Sequence, residues 1–104
     1  MMNEFREALC AKLNNETGRV TWRELEGHFA RGAVVKVARE LDLIDIAACI
    51  AGDEADRFSA LLESGQVNPA TPVDAEDWGR RDASFWGVVV APWVLVQEIA
   101  EAVH

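Results

Sequence analysis

The sequence is short of positive charge. Ten lysines and arginines face eighteen acids in 104 residues, a formal charge of −8 at neutral pH. Phosphate contacts need clusters of Lys and Arg. The balance therefore argues against direct binding to nucleic acid or to an anionic membrane. The one adjacent basic pair, Arg80-Arg81, sits among Asp74, Glu76, Asp77 and Asp82 and makes no basic patch. No run approaches the ~18 to 20 uncharged apolar residues of a membrane span. The first ten residues, MMNEFREALC, carry acids early and lack the apolar core of a signal peptide. A cytoplasmic location is expected. Cysteine is scarce too: Cys10 and Cys49 have no motif spacing and read as free, buried small hydrophobes. A Gly-rich phosphate loop, a zinc spacing, a nucleophile elbow and a Cys–His pair close in sequence are all missing. These residues assign no catalytic group, no metal ligand and no cofactor.

What is present is apolar side chain, half of the composition, enough to bury a core in one domain spanning 1–104. The richest stretch runs from Ser84 to Val103. Phe85, Trp86, Val88, Val89 and Val90 suit a pleated surface. Both faces of this strand, near 84–91, are apolar, so cover is expected on both sides. Gly87 marks a bulge or close packing. Pro92 ends the strand and can open a helix. Trp93, Val96, Ile99 or Ala100, and Val103 then recur at helical spacing, which predicts a C-terminal helix near 93–103. The alternative continues the strand through Val94 and Val96.

Ahead of this stretch, Phe5, Leu9 and Leu13 predict a helix near 2–13. Thr21 and Glu24 form a capping box for a helix near 22–30, stopped by Gly32. Residues 33–38 have β propensity, and Lys36 marks them as an edge strand. Asp42 caps a helix near 43–51, which Gly52 ends. Asp53 is expected to cap a helix near 54–64, which Gly65 stops. Asn68 to Pro72 reads as a loop. Thr71-Pro72-Val73-Asp74 opens a helix near 72–78. The fold class is α+β: predominantly helical, with a small sheet of two strands and Gly18 to Thr21 a candidate third. So small a sheet needs outside cover, and a homodimer with Ser84–Val103 in or near the interface is expected.

Two candidate sites follow. His28 and Arg31 share a helix face and could hold a small anion or carboxylate; the plainer reading is that both offset the dipole at a helix end. Trp78, Trp86 and Trp93 are candidate interface anchors. Trp78, flanked by acids, is the best placed for exposure. The acids at 42, 45, 53, 54 and 56 match no calcium loop.

Trp22, Leu25, His28, Arg31-Gly32-Ala33, Leu41-Asp42-Leu43, Asp53 and Pro92-Trp93-Val94-Leu95-Val96-Gln97 together resemble the small bacterial proteins grouped as domain of unknown function 2288. The likeness spans Thr21 to Glu98. The sequence departs from the pattern at Arg39-Glu40 and at Ala91. The resemblance implies a bacterial cytosolic protein and carries over no activity and no catalytic residue. The expected function is a non-enzymatic protein–protein interaction module with an unidentified protein partner. The alternative is a small-molecule binder or enzyme using His28 and Arg31. An acidic mimic of nucleic acid ranks lower, because the acids are interspersed with arginines.

Overall fold

The computed structural model describes residues 4–99. Five helices and five strands are interspersed along them. In chain order these are α1 (Glu4–Glu16), β1 (Gly18–Thr21), α2 (Trp22–Ala30), β2 (Val34–Val37), α3 (Leu43–Ala51), α4 (Ala55–Ser64), β3 (Val67–Pro69), α5 (Pro72–Arg81), β4 (Ser84–Val90) and β5 (Trp93–Glu98). The strands form one sheet in the order β1-β4-β5-β2-β3. Only β2 and β5 run parallel; the other neighbours are antiparallel.

The class is α+β, as expected, but the sheet is larger than two or three strands. The helix expected over 93–103 is a strand as far as Glu98; residues 100–103 of that expectation lie outside the described residues. The cause is burial on both faces. Trp93, Leu95 and Gln97 belong to one face, and Val94, Val96 and Glu98 to the other. Val94, Leu95 and Val96 are all buried. A strand covered on both sides has no polar alternation to betray its period. Pro92 does end β4, but it makes a two-residue turn with Ala91 between β4 and β5, across a cis peptide bond, and starts no helix.

The expected edge strand is not an edge. β2 lies between β5 and β3, and Lys36 is accommodated because its ammonium reaches Asp74 on α5 at 2.9 Å. The edge on this side belongs to β3, Val67–Pro69, which overlaps the stretch read as a loop at Asn68 and Pro69, with Pro69 placed where a strand tolerates it.

Each face has its own core. α1 and α3 cover one face, with Ile46, Ala47, Leu43 and Leu13 packed on Val35, Val37, Val88 and Leu95. α2 and α5 cover the other, with Leu25 and Trp78 packed on Val34, Phe85, Val94 and Val96. This second core is aromatic. Trp78 meets Phe85 edge-on at 4.9 Å and Trp22 at 5.7 Å, and Trp22 meets Phe29 at 5.6 Å. Gly87 marks close packing and no bulge: a Cβ there would lie 3.0 Å from Val20 across the β1–β4 pair.

The caps follow local chemistry. Thr21 and Glu24 close the expected capping box, and Thr71 with Asp74 closes a second one. Asp42 caps α3 through the amides of Ile44 and Asp45. Asp53 does not cap α4. It takes up a left-handed φ of +59° at the α3–α4 corner, and Glu54 follows as a cap residue whose side chain bonds no helix amide.

Candidate functional site

Three surfaces bear on function: the end of α2, the β4–β5 hairpin, and a cleft beside α5. At the end of α2 the structure brings His28 and Arg31 together. Arg31 Nη2 lies 2.6 Å from His28 Nδ1, and the Arg31 amide donates to the His28 carbonyl as the helix closes. Arg31 is exposed and His28 half-buried. Neither lines the cleft described below. The pair occupies a helix terminus, where cations complement the last carbonyls.

The tryptophans part company. Trp78 is 5% exposed, locked between Trp22 and Phe85, so it is core and not an exposed anchor. Of the acids beside it in sequence, Glu76 is exposed and Asp77 half-buried, because successive helix residues lie about 100° apart and do not share a face. Trp86 and Trp93 are 42% and 38% exposed, both on the face that α1 and α3 cover. Trp86 stands where that cover stops, with the Arg19 guanidinium 5.9 Å from its ring centre. Val89, on the opposite face of the same strand, is 60% exposed. The expectation of cover on both sides of β4 therefore holds for Phe85 and Val88 and fails at Trp86 and Val89. Among the described residues β1 pairs with β4 only from Ser84 to Gly87, leaving Val88 to Val90 paired to β5 alone. This open apolar edge was not read from the sequence. The short GRVT strand, four residues against seven, was the available sign.

The cleft lies between α5 and the ends of β2 and β5, with a volume of about 350 Å³. Asp74 and Asp77 come from α5, Lys36 and Arg39 from β2 and the loop after it, and Glu98 from the end of β5. Arg81 donates to Asp77 at 2.7 Å and to Glu98 at 2.7 Å, tying helix to strand. Those two carboxylates hold the Arg81 guanidinium above its ordinary pKa. Burial alone would raise the Asp74 carboxyl, but bonds from Lys36 and Thr71 outweigh it and keep the group below the usual range. Asp77, bonded by Arg81, is likewise lowered. The cleft residues are scattered between positions 36 and 98, so no local spacing announces them.

The acids at 42, 45, 53, 54 and 56 do not converge on a cation. Arg57 and Arg6 both pair with Asp45, and Arg6 also pairs with Glu54, clamping α1 to the α3–α4 corner. Hydrogen bonding from Arg57 lowers the Asp45 pKa. Among the described residues no group of three or more His, Cys, Asp or Glu is placed to hold a metal ion. No described helix is long and apolar enough to cross a membrane.

A five-stranded mixed sheet, clothed by α1 and α3 on one face and by α2 and α5 on the other, thus defines a small acidic α+β protein. Over residues 8–98 it matches the family model described as protein of unknown function (DUF2288), and the chain belongs to that family. It is similar to PA1075 from Pseudomonas aeruginosa, whose NMR solution structure superposes with a TM-score of 0.79 at 42% identity, covering 100% of this chain and 98% of that one. No curated protein matches the chain.

Proposed function

We propose that this protein is a non-enzymatic interaction module of the bacterial cytoplasm, a homodimer that also engages another protein, with the β4–β5 hairpin as its contact surface. The observation that carries the reading is the hairpin itself. Trp86, Val89 and Trp93 expose large apolar surface, and Val88 to Val90 offer, among the described residues, an unpaired strand edge beside them. Half-exposed tryptophans are favoured anchors at interfaces, and an open edge accepts a further strand through main-chain bonds. The original ground for a dimer, a ribbon too small to stand alone, falls away, because one chain supplies five strands and cover on both faces. The open edge replaces it: an antiparallel edge can pair with its own copy about a twofold axis. The bacterial setting is supported by the Pseudomonas relative, and the reducing cytoplasm by Cys10 and Cys49, which form no disulfide.

The test is native mass spectrometry of protein purified gently from its host. The expected spectrum shows twice the 11.5 kDa chain mass, alone or with a co-purifying protein. A bare monomer at micromolar concentration would refute the reading.

A further inference from the structure

The cleft beside α5 stands apart from the hairpin surface, and its hydrogen-bonding groups divide into committed and uncommitted ones. Lys36 is bound to Asp74, whose carboxylate also accepts from Thr71. Asp77 accepts from both Arg80 and Arg81. These groups have their partners. Arg39 is less committed: its side chain is 57% exposed, and among the described residues its ion-pair contact is to Glu98 Oε2 at 3.5 Å. A guanidinium carries five N–H donors in a fork suited to a carboxylate. Glu98 uses Oε2 for Arg81 and Arg39, which leaves Oε1 as an acceptor. Asn68 donates through Nδ2 to the Gly65 carbonyl, leaving its oxygen. Gln66 Oε1 lies 3.1 Å from the Ser64 hydroxyl, and the Gln66 amide nitrogen has no partner among the described residues. All four residues line the one cleft, whose lining also includes Trp78 and Phe85.

The least committed groups therefore include two donors fit for an anion, Arg39 and Gln66, and two acceptors fit for a cation, Glu98 Oε1 and Asn68 Oδ1. A volume of about 350 Å³ lies at the small end of ligand sites, which run from roughly 300 Å³ upward. We infer that this cleft binds a small zwitterion, a molecule of free-amino-acid type. Its carboxylate meets Arg39 and Gln66, and its ammonium meets Glu98 and Asn68. A simple anion satisfies only half of the set, and a simple amine only the other half.

The experiment is an NMR titration of the ¹⁵N-labelled full chain with each free L-amino acid in turn, and with acetate and methylammonium. The expected result is that at least one amino acid saturably shifts the amides of Arg39, Gln66, Asn68 and Glu98, at least tenfold more tightly than acetate or methylammonium. Arg39→Ala, a change at an exposed side chain, should weaken that binding at least tenfold with the rest of the spectrum unmoved. Arg39→Lys should restore part of it. The inference is overturned if no amino acid shifts these resonances, if acetate binds as tightly as the best amino acid, or if Arg39→Ala binds normally.

Discussion

Replacing Phe85 by alanine removes the ring on which the aromatic core closes. Phe85 is 0% exposed and meets Trp78 edge-on at 4.9 Å. Emptying a fully buried phenylalanine site costs about 3–5 kcal/mol, cavity included, and the lost ring pair adds about 0.5–1.5 kcal/mol beyond burial. A loss of about 4 kcal/mol is a large share of the roughly 5–15 kcal/mol that holds a domain folded. With a urea m-value of about 2 kcal/mol/M, the midpoint should fall by about 2 M. Phe85→Leu refills most of the volume and loses the ring pair, so about 2 kcal/mol is expected. Urea unfolding followed by tryptophan fluorescence reads both variants. Should the alanine variant not fold, the leucine variant still reports. A loss under about 1 kcal/mol for both would refute the claim that this ring seats α5 on the sheet.

Three further outcomes follow from the caps and the charged cleft. Thr21→Ala removes the acceptor for the Glu24 amide and should cost about 1 kcal/mol in chemical denaturation. Gly65→Ala forces a side chain into a φ of +79° at the end of α4 and should cost about 1 kcal/mol, read by the same melts. Asp74 has a folded pKa below its unfolded value, so its contribution is complete above the unfolded value and is lost as the pH falls through the folded one. Asp74→Asn should therefore lower stability by on the order of 1 kcal/mol at pH 7, discounted for the partly exposed Lys36 partner. It should also flatten the acid limb of a stability–pH profile; an unchanged acid limb would remove Asp74 from the account.

Local signals carried much of the fold and little of the site. Capping boxes and glycine stops are short-range chemistry, and they located α2, α3 and α5 closely. β5 misled because a strand buried on both faces also satisfies a three-to-four spacing: Trp93 and Val96 fall on opposite faces of the strand yet read as one helix stripe. β3 was too short to carry a pattern of its own. Lys36 looked like a mark of solvent, but its partner Asp74 is 38 residues away and invisible to local reading. The same distance hid the cleft. His28 and Arg31 do meet, 2.6 Å apart, because their spacing is local, and they lie at the end of α2, outside the cleft beside α5. Trp78 was misjudged because neighbours in sequence are not neighbours on a helix face. The reach of β1 decides which part of β4 stays open, and strand pairing across 60 or more residues is a tertiary fact.

The measurement closest to the central claim is sedimentation equilibrium of the wild-type chain beside Val89→Asp and Trp93→Ser. Both substitutions alter exposed side chains of the hairpin and leave the two cores intact. The account predicts a wild-type mass near twice 11.5 kDa and a shift of both folded variants to the single-chain mass. A wild-type protein that stays monomeric, or variants that dimerise as tightly as wild type, would contradict the assignment of the β4–β5 hairpin as the contact surface.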